Sequence, residues 1–223
     1  MKSAIKYRVS YVYVLMMTLA LLLGGPLENV QAAPISPLSY DMINGGNSSL
    51  SSSLRDDSYT GGTGNPAVPY SSLSGGLGDL TNGIVATGNW DTQPGPYVGW
   101  VDYVVPSPTI TFHFDGLMDI GQVGIHMNSW YRPSTVDIIM GGTSLNFPVP
   151  YSGGQEWIYF STSDLTGDTL LLRLNDDTTA WNKDWILISE VSFDGSPVPA
   201  PAAILLLGSG LAGLAGVRRK FRK

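Results

Sequence analysis

Short stretches of alternating apolar and polar residues follow one another along the chain from Ile84 to about Gly195. Each is rich in β-branched and aromatic residues and is bounded by Gly, Pro, Asn or Asp, as expected of strands joined by tight turns. The alternating apolar positions are Val98, Trp100, Ile110, Phe112, Phe114, Ile120, Val123, Ile125, Val136, Ile138, Met140, Trp157, Tyr159, Leu170, Leu172, Leu174, Ile186, Ile188, Val191 and Phe193. No segment there has a convincing helical period. The pattern predicts an all-β fold, an antiparallel β-sandwich of about eight or nine strands with jelly-roll topology.

The preceding segment, residues 33–78, has a different composition. It is dominated by Ser, Gly, Asn and Pro, and such a composition buries too little apolar surface to order itself alone. Within it, residues 38–42 read as a strand that would pair with the domain behind it. We therefore expect a loop or stalk over the rest of 33–78, and a sandwich core over 79–195.

The N-terminus has the organisation of a secretory signal. Lys2, Lys6 and Arg8 precede an apolar stretch over 11–23, and Val30 and Ala32 stand three and one residues before a cleavage point. These features predict a signal peptide over 1–32 that forms a signal helix and is cut by signal peptidase after Ala32. An uncleaved anchor is the alternative, although a span needs about twenty apolar residues.

The C-terminus carries a second apolar segment. Residues 198–217 are just long enough to cross a hydrocarbon core of about 30 Å, although four glycines weaken their hydrophobicity. The basic residues 218–223 follow directly. Under the positive-inside rule this tail stays cytoplasmic and everything before it lies outside. The segment therefore predicts a C-terminal transmembrane helix that holds the protein in a membrane.

The order of features in residues 196–223 is specific. Val198-Pro199-Ala200-Pro201 is followed by the apolar segment and the basic tail, and this arrangement resembles the PEP-CTERM sorting signal of Gram-negative bacteria. The resemblance implies an exosortase, a membrane cysteine transpeptidase, as partner. It also implies export across the inner membrane, a single-pass membrane intermediate, and transfer to the cell surface or extracellular matrix. Ala200 stands where that family usually has Glu, and a plain anchor with a proline-rich stalk is the alternative.

Removing both terminal segments changes the charge of the chain. Eight of the 12 basic residues lie in them, so the exported part keeps 17 acidic residues against four basic ones, a formal charge of −13. Such a surface repels phosphate backbones, which excludes nucleic acid as a partner, and it suits divalent cations and neutral polysaccharides. The chain has no cysteine. Its stability must therefore come from a hydrophobic core or bound ions.

Two segments at the ends of the core, 79–90 and 185–195, resemble the galactose-binding-like jelly roll of discoidin domains and family 32 carbohydrate-binding modules. The first has an Asn82-Gly83 loop with Trp90 a few residues on, and the second contains Ile188-Ser189-Glu190-Val191. The resemblance implies a structural calcium between loop and strand. Its implied ligands are backbone oxygens of Asp79 and Ile84, the side chain of Asn82, the carbonyl and hydroxyl of Thr87, the Ser189 carbonyl and the Glu190 carboxylate.

Calcium takes six to eight oxygens, which loops supply readily. Asn82 stands where that family usually has Asp, which removes one formal charge from the site. The alternative interpretation is that Asn82-Gly83 is a simple turn pair and Glu190 a solvated strand residue.

Three loops, 88–97, 128–133 and 176–185, combine aromatic residues with Asn, Asp or Arg. Aromatic faces stack on a pyranose while polar side chains bind its hydroxyls, so these loops are candidates for sugar binding. The predicted ligand-binding residues are Trp90, Trp130, Arg132 and Trp181. Each Trp taken singly could equally plug the end of the core.

Catalysis has little support in the sequence. His113 and His126 lie in predicted strands, and the chain has neither a Gly-x-Ser-x-Gly motif nor zinc-ligand spacing. The carboxylate pairs of neighbouring Asp residues would serve a glycoside hydrolase only if they flanked a cleft at roughly 5 to 9.5 Å. We expect a non-enzymatic surface or matrix protein that binds carbohydrate. The alternative is a structural envelope or biofilm protein without a specific glycan, and a glycoside hydrolase is a remote third.

Overall fold

Antiparallel β-strands dominate the computed structural model, which describes residues 33–46, 54–93, 95–101, 103–176, 185–199 and 210. The nine strands in these residues are β1 (Ala33–Ile35), β2 (Ser39–Ile43), β3 (Ser72–Gly76), β4 (Val98–Val101), β5 (Thr109–Asn128), β6 (Thr135–Met140), β7 (Thr143–Pro148), β8 (Gln155–Asn175) and β9 (Trp185–Pro197). A 3-10 helix spans Asp79–Thr81. Every strand pairing is antiparallel. The predicted all-β, antiparallel class is therefore confirmed.

The two longest strands, β5 and β8, pair with each other and connect two halves of the structure. The first half of β5 lies between β2 and β8, and β6 and β7 continue the sheet beyond β8. The second half of β5 lies between β9 and β8, and both β1 and β4 pair with β9. One hydrophobic cluster takes residues from both halves. This arrangement is consistent with a sandwich.

A β-bulge explains a change of alternation within β5. Ile110 and Phe112 are buried at even positions, whereas Val123 and Ile125 are buried at odd positions. The register shifts between Ile120 and Gln122, and an extra residue in one strand moves the following side chains to the opposite face. The alternating apolar positions on the two sides of the bulge therefore belong to one continuous strand.

The Ser/Gly-rich segment differs from its expected form. Strand β2 lies where a strand was expected, but residues 54–78 also pack against the sandwich, and β3 pairs with β2. Buried side chains in this part are Leu54, Asp56, Tyr59 and Leu73. Asn44 anchors the segment, because its Oδ1 accepts from Asp56 N at 2.9 Å and its Nδ2 donates to Pro66 O at 3.0 Å. Gly99 N, in β4, also donates to Leu54 O at 2.9 Å. Hydrogen bonds within the segment and to the domain thus order a segment whose own composition could not.

The predicted signal peptide (1–32), most of the predicted transmembrane segment and the basic tail lie outside the described residues. In the described ranges, no helix has both the length and the apolar character needed to cross a membrane. The last described residues continue β9. Val198 N donates to Leu117 O at 2.9 Å, and Pro199 is exposed.

Candidate functional site

The loop after β5 and the loop before β8 are joined at one end of the sandwich. Ser129 N donates to Gly154 O at 2.8 Å, and Gly154 N donates to Ser129 Oγ at 2.7 Å. Trp130 N donates to Asn128 Oδ1 at 3.1 Å, a local side-chain bond that fixes an Asx-type turn. Asn128 is fully buried, and its Nδ2 donates to Asn89 Oδ1 at 2.8 Å. These bonds hold the loop that carries Trp130 in one conformation.

Trp130, Tyr151 and Arg132 form an exposed aromatic surface, which we call the Trp130 patch. The two rings meet edge to face with centroids 5.4 Å apart, and Trp130 and Tyr151 are 44% and 53% exposed. The Trp130 indole donates to Gly153 O at 3.2 Å, and Gly153 has a φ of +84°, a conformation that favours glycine. The Arg132 guanidinium lies 5.5 Å from the Tyr151 ring centroid. The patch offers ring faces for stacking and guanidinium N–H donors beside them.

Trp90, another predicted ligand-binding residue, lies in a different cluster. Its ring packs edge to face on Tyr131 at 6.0 Å, beside a small buried cluster that includes Tyr97 and Leu187. Trp130 and Tyr131 are consecutive, yet Trp130 packs on Tyr151 and Tyr131 packs on Trp90. Trp90 therefore covers the end of the core. Trp181 lies outside the described residues.

Tyr151 is the member of the patch that sequence reasoning missed. It stands in Pro150-Tyr151-Ser152-Gly153, a turn-rich segment. The segment contains no Asn, Asp or Arg, so it did not match the aromatic-plus-polar pattern of the three candidate loops. The available signal was an aromatic residue in a turn bounded by Pro and Gly.

A second site lies where the 3-10 helix and its following loop contact β9. Asp79 Oδ1 accepts from Ser58 Oγ at 2.6 Å and from Asn82 Nδ2 at 3.1 Å. Asp79 Oδ2 is buried and has no hydrogen-bond partner in the described part of the chain. Glu190 is 6% exposed, and its Oε2 accepts from Gly83 N at 3.0 Å. The structure thus brings together Asp79, Asn82 and Glu190, three residues of the predicted calcium set. The resemblance implied a backbone oxygen of Asp79, whereas the unpartnered atom here is a carboxylate oxygen.

The electrostatics of this cluster favour a cation. Burial, together with the nearby Asp79 charge, raises the pKa of Glu190 to about 7. Burial also raises the pKa of Asp79. A divalent ion would compensate both charges and satisfy the unpartnered Asp79 oxygen. No group of three or more His, Asp or Glu side chains in the described residues is placed to hold a metal, so the other ligands would have to be mainly backbone oxygens.

The remaining predicted ligands hold the loop by other contacts. Thr87 N and Oγ1 both donate to Gln93 Oε1, at 2.8 and 3.1 Å, so the Thr87 hydroxyl is engaged there. Ile84 N donates to Asn82 Oδ1 at 2.8 Å. Ser189 Oγ accepts from Ala86 N at 3.3 Å. The loop is therefore attached to β9 through Ser189 as well as Glu190.

A serine–histidine contact occurs beside this loop. Ser189 Oγ lies 2.7 Å from His126 Nδ1, and Ser189 is fully buried. Burial lowers the pKa of His126, and its ring packs edge to face on Trp157. A nucleophile must reach its substrate, so the position of Ser189 gives this pair a structural role.

No protein-family model matches the chain. A segment of 159 residues is 28% identical to the discoidin domain-containing receptor tyrosine kinase B of Caenorhabditis elegans, covering 65% of this chain and 19% of that protein. A family 32 carbohydrate-binding module of C. perfringens NanJ in complex with galactose is similar at 8% identity, over 39% of this chain and 66% of that one, with a TM-score of 0.30. The family 32 module of AlyQ in complex with 4,5-unsaturated mannuronic acid is similar at 17% identity, over 49% of this chain and 81% of that one, with a TM-score of 0.35.

Proposed function

We propose that this is an exported surface or matrix protein whose β-sandwich binds carbohydrate, without catalysis, at the Trp130 patch. The observation that carries the proposal is the exposure of Trp130 and Tyr151 at 44% and 53% beside a guanidinium. Large exposed rings next to a few hydrogen-bond donors are the usual chemistry of sugar recognition. Because the loop under Trp130 is fixed by hydrogen bonds, little conformational entropy is lost on binding.

A calcium ion held by Asp79, Asn82 and Glu190 is the second part of the proposal. Backbone oxygens of Ile84, Thr87 and Ser189 would complete the set, as the resemblance to discoidin-like domains implies. The ion would neutralise two buried carboxylates and fix the loop of residues 82–87 to β9. It would thereby support the fold.

Sorting through the C-terminal segment is the third part. The described chain leaves β9 at Pro197, and Pro199 is exposed one residue beyond the hydrogen-bonded Val198. This supports access to Pro199, the first proline of the Val198-Pro199-Ala200-Pro201 motif, next to the folded domain. We propose that an exosortase acts near this motif after the protein has been exported and signal peptidase has removed its signal peptide.

A glycan array tests carbohydrate binding. The full-length chain, kept in a detergent without a sugar headgroup, is applied with calcium and again with a chelator. Trp130→Ala should lose the bound glycans, whereas Tyr103→Ala, at a 75% exposed aromatic elsewhere, should retain them. Absence of any retained glycan under both conditions would overturn the proposal and favour the structural envelope or biofilm alternative.

Cell fractionation tests the sorting step. A Pro199→Ala, Pro201→Ala double variant should stay with the membrane fraction, whereas Pro197→Ala, an exposed proline outside the motif, should be sorted normally. If the double variant reached the extracellular fraction as the unmodified protein does, the exosortase proposal would fail.

A further inference from the structure

Among the described residues Arg132 has no acidic partner, although the protein is rich in acidic side chains. The ion pairs in the described residues join His113 to Asp41 and Arg173 to Asp137, and Arg132 takes part in neither. Its Nε is buried and has no hydrogen-bond partner in that part of the chain. Its guanidinium lies over the Tyr151 ring, 5.5 Å from the centroid. The one charged group of the Trp130 patch is thus held in place by an aromatic ring.

No acidic side chain of the described residues competes with a ligand for the Arg132 guanidinium. Guanidinium N–H groups match the two oxygens of a carboxylate, and such charge-assisted pairs are stronger than bonds to neutral hydroxyls. The Tyr151 ring limits the rotamers of Arg132, so less freedom is lost when a ligand binds. A carboxylate on the pyranose ring would accept hydrogen bonds from the guanidinium N–H groups of Arg132. A neutral sugar hydroxyl would leave some of these donors without an acceptor.

We propose that the Trp130 patch selects uronate-containing saccharides. The pyranose would stack on Trp130 or Tyr151, and its carboxylate would bind Arg132. This inference rests on the proposed function, since it assumes that the patch binds sugar.

The overall charge of the exported part, formally −13, led us to expect a neutral polymer. Long-range repulsion is screened beyond about 8 Å at physiological salt, whereas the contact with Arg132 is direct. Glu156, the acidic residue nearest to Tyr151 in sequence, accepts a hydrogen bond from the Ser152 hydroxyl. The direct contact with Arg132 therefore outweighs the net charge of the protein in determining whether acidic or neutral saccharides bind more tightly.

The test compares acids with their own neutral esters. Short oligosaccharides of galacturonate, glucuronate and mannuronate, and the methyl esters of each, are titrated into the full-length chain by calorimetry. We expect at least one acid to bind about tenfold more tightly than its ester. Arg132→Gln should weaken acid binding far more than ester binding, so that the preference falls to within twofold, and Arg132→Lys should retain part of the preference. Arg173→Gln, which removes the same charge from a side chain on β8 paired with Asp137, should keep the full preference.

The outcomes separate the inference from the proposed function. Equal binding of acids and esters, binding of neutral glycans alone, or a preference that survives in Arg132→Gln would overturn the uronate inference and leave sugar binding intact. Failure of every glycan to bind would overturn both. Ester binding by Arg132→Gln, together with its unfolding temperature, shows that the variant is folded.

Discussion

Replacing Glu190 by Gln tests the physical account of the loop site. The Glu190 carboxylate is 6% exposed, accepts from Gly83 N at 3.0 Å, and lies near Asp79. Gln keeps an acceptor oxygen for Gly83 and removes the charge. Glu190→Gln should therefore change how stability depends on pH and calcium while leaving the fold intact.

The magnitude follows from the shift in the Glu190 pKa. Burial raises this pKa from 4.5 to about 7, and each pKa unit corresponds to about 1.4 kcal/mol, so the full shift would be worth about 3 kcal/mol. Solvent beside the loop screens the charge, which leaves about 1–2 kcal/mol. Because the folded-state pKa is raised, this contribution is fully present below pH 4.5 and is lost as pH rises through 7. Without calcium, the variant should match the unmodified protein near pH 4.5 and be about 1–2 kcal/mol more stable at pH 7.5.

Thermal unfolding in a chelator and in millimolar calcium, at both pH values, measures this difference. The expected stabilisation corresponds to about 2–8 °C in Tm for a domain of this size. Added calcium should stabilise the unmodified protein more than the variant, because ligand binding to the native state shifts unfolding. Asp168→Asn, at an exposed carboxylate that accepts from Thr169 Oγ1, is the control and should change neither dependence. A Glu190→Gln variant less stable than the unmodified protein at pH 7.5 in chelator would refute the electrostatic reasoning, and equal calcium responses would refute the ion site.

Two further substitutions test how the segment after β2 and the turn after β6 are held. Tyr40→Phe removes the hydroxyl that donates to buried Asp56, which should cost about 1–3 kcal/mol in denaturant unfolding because a buried acceptor loses its partner. Tyr103→Phe, at a 75% exposed ring, should cost almost nothing, and equal effects would contradict this role of Asp56. Gly141→Ala should destabilise by at least about 2 kcal/mol, because φ is +57° and the new Cβ would lie 2.1 Å from Thr166 O. Gly154→Ala, whose Cβ would have no neighbour within 4 Å, should be nearly neutral in the same assay.

The strands were predictable where one face of a single strand is buried. Val136, Ile138 and Met140 alternate in sequence and are all buried in β6. Strand β7 was not identified, because Leu145 and Phe147 are its only large apolar residues and its other positions are exposed. The bulge in β5 was hidden as well, since alternation on either side of Ile120 looks like two separate strands.

Long-range hydrogen bonds account for most of what the sequence did not predict. Residues 54–78 are ordered by contacts such as Asn44 with Pro66, which composition cannot indicate. In the candidate site, residue type alone indicated Trp130 and Arg132. The sequence did not indicate that Trp90 lies apart from them. Trp130 and Tyr131 are consecutive but pack on different neighbours, Tyr151 and Trp90. Only the loop conformation determines which neighbour each ring contacts.

The most direct test of carbohydrate binding at the Trp130 patch is the affinity of the Trp130→Ala chain for the glycan that the unmodified protein binds best. Removing one stacking ring should weaken calorimetric binding about tenfold or more, since a well-placed aromatic contact contributes over 1 kcal/mol to such recognition. Tyr103→Ala should stay within twofold of the unmodified protein. Equal affinities for the Trp130→Ala and Tyr103→Ala chains would contradict the account and place any sugar site elsewhere on the molecule.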